Sequence, residues 1–376
     1  MRWLLLLAAL PVFTGSPLAA EPLDKVESRL FSTRDFKLTS GTVLPKLKLA
    51  YETYGKLAAN GRNAVLITHG YTSSHHAAGT YRPGGAPAGL NDGDKGSWDK
   101  LIGPGKAIDT DRLFVVSSNM LGSSYGSTSP RSIDPSTGKP YGPTFPRYSV
   151  ADIVDAQKAL LDHLGVKHLV AVAGPSYGGY QAFQWAVRHP GFMDGVVPVV
   201  TAPSTTTTAA TTQKLIDQLA ADPNWNGGHY YDKGGIDTVM TRIRVATLKN
   251  YGIEAQLAPK HPDPKDLEAA IVKAATPWLK AFDGNSMVVL RRALEGFDTT
   301  KDFPQIKAKL LYVISRTDKL FPPSIVPGVM EKLKAAGVDA RYFEIDSELG
   351  HLASGPEGDK WGPTLKAFMD ELTPRT

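Results

Sequence analysis

The sequence has no cysteine. Disulfides and attachment of a lipid to an N-terminal cysteine are therefore excluded, and the packed core alone must hold the chain together. A basic run is also missing. Lys and Arg number 42 against 37 Asp and Glu, for a net charge of +5 and a pI near 9.0, but the cations are dispersed, which argues against a nucleic-acid partner. No metal-ligand spacing is present. His75 and His76 are adjacent, yet no carboxylate or further histidine stands at ligand distance from them in the sequence. Asn91-Asp92-Gly93-Asp94 begins like a calcium loop, but Gly96 falls where a third oxygen ligand belongs and no Glu closes it. We expect no metal and no cofactor. What remains is ordinary for a soluble globular chain: 376 residues, 42% hydrophobic and 21% charged, enough for one large domain with an insertion or for two domains.

Met1-Arg2, the apolar run Trp3 to Leu10 and a small-residue stretch ending Leu18-Ala19-Ala20 read as a secretory signal peptide cut before Glu21. The run is too short to span a bilayer. Leu18 fits poorly where Ala is favoured, so retention as an uncleaved N-terminal anchor is the alternative. The expected location is periplasmic or secreted, with no stable membrane insertion after cleavage.

The most informative stretch is Leu169 to Gly179, an apolar β-rich run leading into Gly174-Pro175-Ser176-Tyr177-Gly178. A helical segment follows from Tyr177 to Arg188 before His189-Pro190-Gly191 stops it. A serine on a sharp turn between strand and helix exposes its hydroxyl above a sheet, and the flanking glycines avoid clashes with neighbouring backbone. Ser176 is read as a nucleophile. The Tyr177 N–H, at the helix start, is a candidate oxyanion donor.

Strands and helices alternate on both sides of this turn. Phe31 to Leu57 alternates apolar and polar residues around a hairpin turn at Ser40-Gly41. Buried strands follow at Ala64 to Thr68 and Leu113 to Ser117, and Ser149 to Asp152 is a capping box opening a helix that runs to Gly165. Val196 to Val200 is another strand, with Pro198 awkward inside it. From Ser204 to about Phe303 the pattern is helical, with aromatic patches and no strand run. Strand periodicity returns at Lys309 to Ile314, then a helix from Val329 to Ala336, a strand from Ala340 to Ile345 and a final helix from about Gly362 to Leu372. This order predicts a mostly parallel sheet with helices on both faces. The expected division is a signal peptide at 1–20, a core at 21–202, a helical cap at 203–302 and the rest of the core at 303–376.

A serine nucleophile needs a base and an acid that orients it. Asp318 and His351 each follow a predicted strand, and the order Ser176, Asp318, His351 matches the hydrolase arrangement of these groups. Asp346 and Glu348 compete with Asp318 but lie too close in sequence to His351 to come from a separate strand end. The loop after Thr68 would supply the second oxyanion donor, the Tyr71 N–H.

The chain resembles the homoserine O-acetyltransferase family of α/β-hydrolases. The resemblance is carried by Trp98-Asp99 with Gly103-Pro104-Gly105-Lys106, Asp109 to Val115, Asn119-Met120-Leu121-Gly122 with Tyr125 to Thr128, Phe145-Pro146 with Val150 and Asp152, and Gly174 to Gly179 with Gln181-Ala182 and Trp185-Ala186. It implies an α/β-hydrolase fold, the triad Ser176, Asp318 and His351, a helical cap, a ping-pong acyl-enzyme and a homodimer joined through the cap. It also implies a cap arginine with a tyrosine seven residues on against the acceptor's carboxylate. Arg244 and Tyr251 hold that spacing, with Arg242 as the competing arginine. The family places an aspartate directly after the triad histidine to meet the acceptor's ammonium; this chain has Leu352, which cannot stabilise that charge.

Two further arguments bear on function. Acetyl-CoA is not expected outside the cytoplasm, and Leu352 removes the ammonium's partner, so the expected activity is a secreted serine hydrolase cleaving an ester, or secondarily an amide, of a small substrate. An O-acyltransferase of the homoserine O-acetyltransferase type is the first alternative and a non-catalytic binding protein on a hydrolase scaffold the second.

Overall fold

The computed structural model describes residues 23–373. The signal peptide read at 1–20 and its cleavage site lie outside that range. Eight strands build the main sheet: β1 (Arg29–Lys37), β2 (Val43–Tyr54), β3 (Ala64–Ile67), β4 (Phe114–Ser118), β5 (Leu169–Pro175), β6 (Met193–Val199), β7 (Lys309–Ser315) and β8 (Ala340–Ile345). Their order across the sheet is β1-β2-β4-β3-β5-β6-β7-β8. Only the β1/β2 and β2/β4 pairings are antiparallel. Because successive strand residues point to opposite faces, Leu66, Val116 and Val172 enter one apolar layer while Val65, Val115 and Ala171 enter the other. Helices α1 (Val150–His163) and α2 (Tyr177–Arg188) cover the first face, and α9 (Gly358–Leu372), through buried Trp361, Leu365 and Phe368, covers the second. The expected fold, an α/β-hydrolase sheet with helices on both faces, is what forms.

Pro198 is tolerated inside β6 because of its pairing side. The contacts with β7 join Gly195 to Lys309, Val196 to Leu310 and Val199 to Val313, and skip the proline. Two helix starts differ from the sequence reading. The helix after β7, α8, spans Val326–Ala335, three residues earlier than expected, since Pro327 occupies its first turn, where the missing N–H costs no hydrogen bond. The last helix, α9, begins at Gly358, ahead of the expected start near Gly362, and carries Pro363 inside it.

Between β6 and β7 the chain leaves the sheet through a narrow neck. Ser204 bridges Asp298, Thr205 N–H donates to the Phe297 carbonyl at 3.1 Å, and Thr299 N–H donates to that of Pro203 at 3.0 Å. The inserted segment carries α3 (Ala209–Ala220), α4 (Asp237–Tyr251), α5 (Ile253–Leu257), α6 (Pro264–Leu279) and α7 (Gly284–Ala293). The threonine run acts as connector and cap: Thr208 Oγ1 accepts from the Thr211 N–H and starts α3. Among the described residues no helix is long and apolar enough to cross a membrane.

Candidate active site

Ser176 stands between β5 and α2 with φ 57° and ψ −118°, a conformation that non-glycine residues adopt only where the surroundings impose it. The glycines around it answer to contact. A Cβ on Gly174 would lie 2.1 Å from Thr68 Oγ1, and one on Gly178 would lie 2.7 Å from the Thr68 carbonyl oxygen. Hydrogen bonds fix the turn: Ser176 N–H donates to the Val199 carbonyl and Thr201 Oγ1 to the Ser176 carbonyl, both at 2.8 Å. Thr201 is held in turn by Tyr312, whose hydroxyl donates to its carbonyl at 2.6 Å. The Ser176 hydroxyl itself makes no hydrogen bond within the described protein and opens onto a cavity of about 310 Å³.

His351 reaches the same cavity from a short turn after β8. Gly350, at φ 55°, lets the chain reverse there, and its N–H donates to Thr317 Oγ1 at 3.1 Å. His351 Nδ1 lies 2.8 Å from Asp318 Oδ2, both side chains buried. The other carboxylate oxygen, Oδ1, accepts the N–H groups of Leu320 at 2.8 Å and Phe321 at 3.1 Å. An ionised Asp318 can only accept, so Nδ1 carries the proton and Nε2 keeps a lone pair for the serine. The competing acids are turned outward: Arg316 pairs with Asp346 at 2.7 Å and also with Glu348. Tyr251 and Phe321 hold the imidazole between them, at centroid distances of 4.8 and 5.6 Å.

Tyr71 lines the cavity, Tyr177 directly follows Ser176, and the cap holds the side chains of both. The Tyr71 hydroxyl donates to the Met287 carbonyl at 2.5 Å and the Tyr177 hydroxyl to that of Leu290 at 3.0 Å, both on α7. Among the described residues, neither backbone N–H is taken by a protein acceptor. Two donors left free beside a serine form a hole in which an oxyanion would be stabilised.

Of the residues read as substrate-binding, Tyr251 and Leu352 line the cavity. Arg244 is not among the lining residues but touches one of them, Thr72. Its Nη1 donates to Thr72 Oγ1 at 2.8 Å, its guanidinium lies 5.0 Å over the Trp278 ring, and burial depresses its pKa. Arg242 points elsewhere, into a separate groove between α3, α4 and α7. Leu352 also packs against the apolar cluster of Leu248, Ile253, Ile271 and Ala275 in the cap. No Asp or Glu is among the residues that line the cavity. Sequence reasoning missed Thr72, Trp278, Thr68 and Thr201. Trp278 Nε1 donates to the Thr72 carbonyl at 3.1 Å across 206 residues of sequence, a contact that no local spacing announces.

Residues 63–355 match the alpha/beta hydrolase fold family. Over 361 residues the chain is 36% identical to the homoserine O-acetyltransferase of Moorella thermoacetica, covering 90% of this chain and 94% of that protein. It belongs to the homoserine O-acetyltransferase family of α/β-hydrolases. The Haemophilus influenzae homoserine O-acetyltransferase is 38% identical over 343 residues, 86% of this chain and 93% of its own. Among solved structures, esterase E22 superposes with a TM-score of 0.81 at 29% identity, covering 92% of this chain and all of that one. Homoserine O-acetyltransferase from Bacillus anthracis does so with 0.80 at 26% identity, covering 92% and 98%. This family thus sits structurally beside both an esterase and an acetyltransferase.

Proposed function

We propose that this chain moves an acyl group from an ester onto Ser176 and then to water. His351 Nε2 takes the serine proton as Oγ attacks the ester carbonyl, and the Tyr71 and Tyr177 N–H groups receive the negative charge on its oxygen. Collapse expels the alcohol, which takes the proton from His351. Water then attacks the acyl-enzyme with His351 again as base, releasing the acid and restoring the serine. Asp318 orients the imidazole and stabilises its charged form. The observation that carries the reading is the strained Ser176 facing, across one cavity, a histidine held at 2.8 Å by a buried aspartate.

Water is favoured over homoserine as acceptor because an ammonium in this cavity would meet Leu352 and no lining carboxylate. A charge left unpaired in a closed site costs several kcal/mol. The second reading, acyl transfer to homoserine, is favoured by the names of the relatives at 36 and 38% identity. One assay separates the two. Protein and its Ser176→Ala variant are given a simple acetyl ester and acetyl-CoA, each with and without homoserine. Acetate from the ester, unaffected by homoserine and with little CoA release, supports hydrolysis; acetylhomoserine as the main product overturns it. We further propose export through the N-terminal segment 1–20, tested by N-terminal sequencing of the protein recovered from the periplasm, and a homodimer through the cap, tested by sedimentation.

A further inference from the structure

A buried polar cluster lies behind the loop that carries the Tyr71 N–H. Glu52, on β2 and fully buried, accepts from the Tyr81 hydroxyl at 2.6 Å, from the Tyr54 hydroxyl and from His76 Nδ1 at 3.1 Å. His76 Nε2 lies 2.9 Å from the Asp94 carbonyl. Both ring nitrogens of His76 therefore face groups that can only accept, so both carry protons and the ring is an imidazolium paired with Glu52. Burial alone would lower the pKa of this histidine, but the Glu52 carboxylate and the Asp94 carbonyl outweigh it and hold it above the ordinary value. Every charged or titratable neighbour fits that state. Glu52 approaches from β2, the charge of the Asp94 side chain also favours the protonated ring, the Tyr81 ring stacks on the imidazolium at 4.1 Å, and His75, whose pKa burial pushes down to about 4, is neutral.

The cluster grips the far end of the loop. The Tyr54 hydroxyl accepts the N–H groups of Ala77 at 3.2 Å and Ala78 at 3.1 Å, while the His76 N–H donates to Ser74 Oγ at 3.3 Å. The near end is anchored by the close of β3 and a turn in which Ser73 N–H donates to the Gly70 carbonyl at 3.1 Å. Tyr71 lies inside the near turn, which Ser74 and His75 join directly to the residues held by the cluster.

We propose that the Glu52–His76 ion pair positions the oxyanion loop, so that loss of the imidazolium charge loosens the Tyr71 N–H and slows acylation of Ser176 without weakening ground-state binding. This rests on the acyl-enzyme reading above. Deprotonation of His76 removes one of its two donors, so the acylation rate falls on the alkaline side of the His76 pKa.

The test is the second-order rate of Ser176 labelling by a fluorophosphonate from pH 6 to 10, with ester turnover in parallel and circular dichroism at each pH. The wild type is expected to show an alkaline limb while still folded. His76→Gln is expected to label at least tenfold more slowly at pH 7, with the limb gone and KM within twofold. Tyr81→Phe, which removes one Glu52 donor but keeps the pair, is expected to lose less rate and keep the limb. A wild-type profile flat to pH 10, wild-type rates in a folded His76→Gln, or loss of the limb in Tyr81→Phe would overturn the proposal. Should His76→Gln not fold, the wild-type and Tyr81→Phe profiles decide by the same criteria. Failure of the wild type to label, or labelling of Ser176→Ala, would instead refute the acyl-enzyme reading.

Discussion

Replacing Asp318 with Asn offers the sharpest check on the proposed chemistry, because the structure dictates which way the amide must face. Oδ1 accepts two backbone N–H groups, from Leu320 and Phe321. An asparagine must keep its carbonyl oxygen there, since turning the NH₂ toward two donors would leave three hydrogen-bond donors facing one another. The NH₂ group then points at His351 Nδ1. That nitrogen must become the acceptor, the ring proton moves to Nε2, and the atom that should accept the serine proton already carries one. A base in the wrong tautomer costs about 10⁴ in turnover in the serine proteases where the same change was made, or roughly 5.5 kcal/mol of barrier. The fold is expected to survive, because both backbone bonds are kept and the polar pair becomes neutral rather than unpaired. The assay is ester turnover with phosphonate labelling, beside a thermal melt of the same preparation. Asp318→Asn turning over within tenfold of wild type, while Ser176→Ala is inactive, would refute this account of Asp318.

Other expectations follow from the same geometry. Ser176→Gly is expected to abolish labelling yet raise the denaturation midpoint, since a positive φ costs a non-glycine residue about 1–3 kcal/mol and glycine almost nothing; an unchanged or lower midpoint counts against stored strain. Gly174→Ala places a methyl 2.1 Å from Thr68 Oγ1, whose hydroxyl also holds the Gly178 carbonyl at 2.8 Å, so a loss of about 2–4 kcal/mol in chemical denaturation is expected. Leu352→Asp is expected to raise the yield of acetylhomoserine while lowering stability, as a carboxylate replaces a side chain packed on the cap cluster; unchanged product ratios would show that position 352 does not choose the acceptor. His75, with a folded pKa near 4 against about 6.5 unfolded, leaves the unfolded chain binding more protons in between, so stability is expected to fall as pH drops from about 6.5 toward 4. His75→Gln should flatten that slope in pH-dependent melts.

The strand–turn–helix around Ser176 was readable from sequence because everything that makes it is local: an apolar run, two glycines and a helix-compatible segment. Asp318 and His351 were readable because chain order and position after a strand stand in for distance. The parts that escaped reading depend on side chains that meet only after the cap closes over the core. Arg244 illustrates this: the family resemblance implied a cation for the acceptor's carboxylate at Arg244 or Arg242, and nothing in the sequence announced that Arg244 would meet Thr72 and Trp278. Glu52 was similarly hidden, since one acid in an alternating strand looks like a solvated residue until three side chains donate to it. The missed start of α8 has a simpler cause, Pro327 in its first turn, while α9 starts at Gly358 and continues through Pro363.

The neck at Ser204 and Asp298 has a bearing on how such a chain could be rebuilt. The chain leaves the sheet and returns to it side by side, so for β6 and β7 the whole helical insertion is closed off like a short loop. Helices grafted between those two positions would leave strand order and register untouched, and the roof over Ser176 could be exchanged while its floor stayed the same. The price is set at Thr72, Tyr71 and Tyr177, whose partners Arg244, Trp278, Met287 and Leu290 all belong to the insertion. A transplanted roof that fits the neck but not those contacts should give a folded protein with an unsupported oxyanion hole, so interchangeability of architecture does not extend to catalysis.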